Sequence, residues 1–250
     1  MEENNIEQNK ETVDEKAKKK GGAVYSLLGN HELMNVDGDF RYVTPKNLDD
    51  FYYKDIETGE EFKGIDGRTK AFNIGGPLST HLGCTRKAAL IIGSTLFVHA
   101  GILPVIGEKL NLEDRDEKIK LLNQNVKRWL LGKLSSKREI KYIDDISISP
   151  FWMRLFGQIP VGTKINDEKC KKCLDAIKYY QIGHIVIGHT PQLLYTEDGI
   201  NGTCDRKDGI SIVYRVDAGL PESFGLRKDD NDLQYLEILE DKKFNIIKNK

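Results

Sequence analysis

Three short apolar runs in this chain end alike, with a glycine beside or one residue from a histidine: LLGNHE over residues 27–32, LFVHAG over 96–101 and IVIGHT over 185–190. Runs of this kind read as buried strands, and α/β folds present ligand-binding side chains where such strands end. The sheet fixes the position of the side chain, and glycine lets a ligand approach the backbone. A lone histidine there is most often a hydrogen-bonded structural residue. His31, His99 and His189 together, with Asn30 before and Glu32 after the first, point instead to a shared site. Imidazole nitrogen and carboxamide oxygen suit a borderline divalent metal such as Zn, Mn or Fe. His81, in a turn-like stretch, and His184, opening a strand, read as structural or exposed. Arg41 reads as a packing or ion-pair residue.

The rest of the chain fits a mixed α/β class with a partly antiparallel sheet. Residues 6–20 form a polar segment of high helix propensity, stopped by Gly21-Gly22, so residues 1–22 stand apart from a main domain over 23–240. AVYSLL (23–28) reads as a buried strand. Strands are expected over Ala89–Ile92 and Thr95–Val98 across a Gly-Ser turn, His184–Ile187, Ile210–Val216 and Leu233–Leu239. Helices are expected over 113–131 and 168–181, the first with Ile119, Leu122, Val126 and Trp129/Leu130 on one face. Residues 44–80 show no clear period, and 241–250 read as a charged tail.

Composition narrows the partners. Thirty-eight basic against 39 acidic residues give a net charge of −1, so there is no bulk attraction to nucleic acid or anionic lipid. The uncharged stretch Ala88–Gly107 contains Gly93, Gly101 and Pro104 and reads as two short strands, not a membrane span. The first twenty residues have no apolar run of the secretory type, which makes cytoplasmic the expected location. A reducing compartment would keep the four cysteines free, with Cys170 and Cys173 as buried or half-buried positions of a helix.

Longer matches give a family resemblance. GNHELMNVDGDFRYV (29–43), TLFVHAGI (95–102), FWMR (151–154), VIGHTPQ (186–192) and RVDAGL (215–220) occur in an order that resembles the Shewanella-like protein phosphatases. These are a branch of the phosphoprotein phosphatases within the calcineurin-like metallophosphoesterases. The resemblance runs from about residue 15 to 240. It implies a β-sandwich flanked by helices and the hydrolysis of phosphomonoesters, phosphorylated protein above all. In the family, two divalent ions roughly 3.5–4 Å apart activate a hydroxide and neutralise the phosphoryl oxygens. Carried over, Asn30, His99 and His189 would ligate one ion and His31 would protonate the leaving oxygen. Glu32 would hold the loop, and Arg154 would grip the phosphate with its guanidinium fork. Asp217 is expected to be supporting or structural.

Two earlier family motifs, GD-x-H-G and GD-x-x-DRG, are absent. Before His31 the chain has no histidine, no arginine and only Asp14 among aspartates. Relative to the family fold, the expectation is an N-terminally incomplete domain, short by on the order of 30 residues. At most one metal would bind, and the polypeptide alone would be essentially inactive. Two alternatives remain: a non-catalytic pseudophosphatase that docks phosphorylated partners, and a dinucleoside-polyphosphate hydrolase, whose branch shares the GHT and VD-x-G motifs.

Overall fold

The computed structural model describes residues 12–134, 137–194, 199–219 and 233–248. Thr12 opens the first helix, α1 (Val13–Lys18): its hydroxyl accepts from the Glu15 N–H while Glu15 bonds back to the Thr12 N–H, satisfying two end donors reciprocally. The part of the expected 6–20 helix before residue 12 lies outside the described residues. β1 is only Ser26–Leu27, shorter than the strand expected over 23–28. It pairs in parallel with β4 alone among the described residues, and Val24 and Tyr25 are 44% and 57% exposed. Burial begins at Leu28.

α2 (Asn30–Val36) and α3 (Pro45–Asp49) follow. Residues 44–80, without a legible period in the sequence, resolve into small units. They are α3, the hairpin β2 (Tyr52–Lys54) with β3 (Glu61–Lys63), α4 (Gly64–Phe72) and the start of α5 (Pro77–Thr85). His81, expected in a turn, lies in α5 and is exposed. The elements here are too short and half-buried to impose a repeat.

After β4 (Arg86–Lys87), β5 (Ala89–Ile92) and β6 (Thr95–Val98) form the expected hairpin, with Gly93 at φ 62° in its turn. α6 (Pro104–Leu110) leads to α7 (Arg115–Leu130), capped by Asp114, which buries Ile119, Leu122, Val126, Trp129 and Leu130 as the spacing predicts. A 3-10 turn at Glu168–Cys170 runs into α8 (Lys171–Tyr180). β7 (His184–Ile187), β8 (Asn201–Asp205) and β9 (Ser211–Arg215) complete a five-stranded sheet of order β5-β6-β7-β9-β8. β8 (NGTCD) is a strand whose sequence carries turn-type residues.

β10 (Gln234–Leu239) pairs antiparallel with β11 (Lys243–Lys248). Residues 243–248 are therefore a strand, not the charged tail expected over 241–250. Their lysines occupy the exposed positions, and Phe244 stacks 4.6 Å from Tyr214 and 4.2 Å from His184. This lays the hairpin against one face of the sheet as a second β layer. Asp241, in the hairpin turn, accepts the Ser94 N–H at 2.7 Å and locks the two layers together.

The cysteine expectation is overturned in part. Cys170 at the head of α8 and Cys204 in β8 form a disulfide across 34 residues, while Cys173 is free and buried and Cys84 free and exposed. The Lys164–Asp205 bridge brings the two segments side by side, a pairing that sequence spacing does not reveal. Among the described residues no helix is long and apolar enough to cross a membrane.

Candidate active site

β6, β7 and β9 run parallel as neighbours, in register Phe97↔Val186 and Ile187↔Arg215. Their C-terminal ends therefore deliver His99, His189 and Asp217 to one edge of the sheet, where ligands bind in open α/β folds. The loops beyond are stitched together by backbone bonds: Gly188 N–H to His99 O at 2.8 Å, Val216 N–H to Ile187 O at 2.8 Å and Gln192 N–H to Asp217 O at 3.0 Å. Separately, the β1–β4 pair feeds Asn30 to the same place.

The three side chains expected to share an ion meet there. His99 Nε2 lies 2.9 Å from Asn30 Oδ1 and 3.1 Å from His189 Nδ1. His189 Nε2 is 3.0 Å from the Trp152 carbonyl, which can only accept, so that nitrogen carries the proton and Nδ1 presents its lone pair to the cluster. Burial, with the other imidazole beside it, pushes His99 down to about 3. Burial, with Arg154 nearby, pushes His189 down to about 4. Both rings are therefore neutral, the state a metal ligand requires. His189 sits at φ 61°, a conformation uncommon outside glycine that marks strained positions at functional sites.

Two glycines make the convergence possible. A Cβ on Gly29 would stand 2.9 Å from His99 Cε1, so the imidazole reaches Asn30 only because that side chain is missing. Gly101, at φ 138°, leaves room for the Met153 methyl, 2.1 Å from where a Cβ would be, and so seats the segment that carries Arg154.

Arg154 Nη1 donates to the His189 carbonyl at 3.2 Å, placing the guanidinium beside the imidazole cluster. Burial raises the Asp217 carboxyl above the usual carboxylate range, against the opposing Gly219 N–H, Arg154 and His31. Glu32 accepts the Gly29 N–H at 2.7 Å and an Arg86 guanidinium N–H at 3.3 Å, fastening the loop from below. His31 points outward, exposed, with its ring stacked on Tyr42 at 5.1 Å. The structure thus brings Asn30, His99, His189 and Arg154 together, with Asp217 near Arg154 and His31. Glu32 acts on the loop. His184, by contrast, bonds the Ser211 carbonyl in the core, and Arg41 pairs with Asp39 at the surface.

Sequence reading missed the supports of the Arg154 segment. Arg215, wholly buried, donates through Nε to Asn201 Oδ1 at 2.6 Å and through Nη1 to the carbonyls of Gly157 and Ile159, directly after Arg154. Gln192, also buried, donates to Gly157 O and Thr190 O. The only sequence sign was an arginine in the otherwise apolar run SIVYRV.

The donors suit one divalent cation: three neutral ligands, one with its outer nitrogen fixed by a carbonyl. Among the described residues no three His, Cys, Asp or Glu side chains cluster as a metal-holding group, so the Asn30 carboxamide is needed to make the third donor.

No family model matches the chain. It is 45% identical over 242 residues to an uncharacterized protein of Acanthamoeba polyphaga mimivirus, covering 94% of this chain and 96% of that one. It is 27% identical over 258 residues to Shewanella-like protein phosphatase 2 of Arabidopsis thaliana, covering 88% of this chain and 61% of the relative. A solved cold-active protein tyrosine phosphatase superposes with a TM-score of 0.57 at 20% identity, over 94% of this chain and 60% of that structure. The chain thus spans about three fifths of the named phosphatases it matches. In fold and in named relatives the chain is similar to the Shewanella-like protein phosphatases, a branch of the calcineurin-like phosphoesterases.

Proposed function

We propose that the protein binds phosphorylated protein side chains at a site of the Shewanella-like phosphatase type, and that this site holds one divalent metal ion, not two. The observation that carries the reading is the meeting of Asn30, His99 and His189 from three separate chain segments, with Arg154 bonded to the His189 carbonyl. A divalent cation held by those three side chains would set positive charge against the phosphoryl oxygens.

The chain's own residues supply the rest. The Arg154 guanidinium, anchored by the His189 carbonyl, would bind phosphate oxygens and fix the ester's orientation. His31, exposed and stacked on Tyr42, would give a proton to the leaving oxygen. Asp217 interacts electrostatically with Arg154 and His31 and is proposed to support them. No carboxylate accompanies the three neutral ligands among the described residues, so the set favours one ion over a bridged pair, and the polypeptide is proposed to bind phosphate esters without substantial turnover.

Two assays test this. With Mn²⁺ or Co²⁺ present, a phosphopeptide should bind more tightly than its unphosphorylated counterpart, and Arg154→Met should remove the difference. Phosphate release from an aryl phosphate under the same conditions should stay near background. Equal binding of both peptides sinks the phosphate site; sustained metal-dependent release sinks the single-ion site.

A further inference from the structure

Beyond His31 the surface opens into a cleft of about 670 Å³, lined among others by Asn35, Tyr42, Phe51, Tyr52 and Arg68. Nothing in the phosphate chemistry uses it, and a volume of this size accommodates a ligand far larger than a phosphate group. Its two carboxylates are already matched at the surface, Asp39 with Arg41 at 2.5 Å and Asp50 with Lys46 at 2.6 Å. Arg68 is different. Its Nε donates to Asn35 Oδ1 at 2.7 Å, and its guanidinium carbon lies 5.8, 5.2 and 5.1 Å from the ring centres of Phe40, Phe51 and Phe72. No carboxylate pairs with it among the described residues. Burial alone perturbs its pKa, downward, as expected of a half-buried cation with no anion close by. The three rings hold the guanidinium plane in place, and among the described residues Nη1 and Nη2 form no hydrogen bond with the protein.

Arg68 is also tied to the catalytic end. Asn35 Nδ2 donates to the His31 carbonyl at 2.7 Å while its Oδ1 accepts from Arg68, so one side chain bridges the two residues. His31 and Asn35 are four residues apart on α2, ~6 Å along its axis. An extended peptide advances ~3.3 Å per residue, so a bound chain running alongside α2 would pass from His31 to Asn35 in about two residues.

Resting on the phosphatase reading above, we propose that this cleft is a peptide-binding subsite in which Arg68 pairs with an acidic side chain about two residues from the phosphorylated one. The substrate class is then a phosphopeptide segment with an acidic flank, lying across the Tyr42 and Tyr52 rings, and not a small phosphate ester.

The test uses fluorescence anisotropy with the full chain, Mn²⁺ and phosphopeptides that differ only in carrying Glu or Gln two residues before or after the phosphorylated residue. The readout is the ratio of dissociation constants, which does not depend on the fraction of protein that is folded. The Glu peptide should bind about tenfold more tightly at one of the two positions, the scale of one charge-assisted bond at a partly exposed site. Arg68→Met should bring that ratio to about one, and Arg68→Glu should turn the preference towards a Lys peptide. If phosphorylation strengthens binding but Glu and Gln peptides bind equally, or if the preference survives Arg68→Met, the subsite is wrong while the phosphate site stands. If phosphorylation makes no difference, the phosphatase reading fails and takes the subsite with it.

Discussion

Arg215→Met probes how the fold holds its phosphate-binding arginine. The wild-type guanidinium is wholly buried and spreads its donors over Asn201 Oδ1, the carbonyls of Gly157 and Ile159, and the Gly202 carbonyl at 3.3 Å. Methionine roughly fills the volume of the aliphatic stem but donates nothing. Gly157 O keeps a donor from Gln192, so the acceptors that suffer most are Ile159 O and Asn201 Oδ1. A buried acceptor stripped of its donor costs ~1–3 kcal/mol, so the two orphaned acceptors put the substitution at about 2–6 kcal/mol. Removing the guanidinium also relieves its own desolvation, which keeps the estimate at the level of two orphaned groups. For a chain of this size each kcal/mol moves the melting temperature by ~2–4 °C, so a fall of about 4–24 °C is expected in a thermal melt followed by circular dichroism. Arg215→Lys, which keeps charge but not the fork, should fall between. A methionine variant melting within ~2 °C of wild type would refute the accounting, because no orphaned pair of buried acceptors is that cheap.

Other expectations follow from single contacts. Gly29→Ala should weaken divalent-metal binding at least tenfold by calorimetry, because its Cβ would displace the His99 ring by a few tenths of an ångström from Asn30; unchanged affinity would mean that His99 is not a ligand. Thiol titration of denatured, unreduced protein should find two reactive groups, Cys84 and Cys173, and Cys170→Ser should cost ~3–4 kcal/mol in urea denaturation, the chain-entropy value for closing a loop of that length; four reactive thiols would contradict the pairing. His184 has a pKa lowered by burial, against the opposing Ser211 carbonyl bond and the nearby Asp208 and Asp241. Its neutral form is therefore favoured in the folded state, and that contribution is complete above the ordinary histidine pKa of ~6.5 and lost as pH falls below it. His184→Phe should flatten part of the fall in melting temperature between pH 7.5 and 5.5; an equally steep fall would remove His184 from the account.

What could be read from the sequence was whatever repeats or terminates a pattern. β5, β6, β7 and α7 have apolar runs or helical periods long enough to be seen, and the glycines and histidines that end the strands mark the site directly. Arg154 was different: it lies in a loop with no period and was visible only because FWMR matches a family motif. Arg215 and Gln192 escaped notice because a buried polar side chain that bonds to carbonyls leaves no spacing behind. Arg68 escaped for a related reason, since its aromatic neighbours Phe40, Phe51 and Phe72 converge only after α4 has packed on the β2–β3 hairpin. β11 was hidden by composition: with lysines on its exposed face, KFNIIK looked like a solvated tail until its pairing with β10 was seen.

The central claim is a three-ligand, single-ion site built from Asn30, His99 and His189. Dialysis of the 250-residue polypeptide against Mn²⁺ or Zn²⁺, followed by elemental analysis, tests it most directly. The account predicts one ion per chain, falling towards none in the His99→Ala/His189→Ala double variant. Two ions per chain, or one that survives the double substitution, would contradict it.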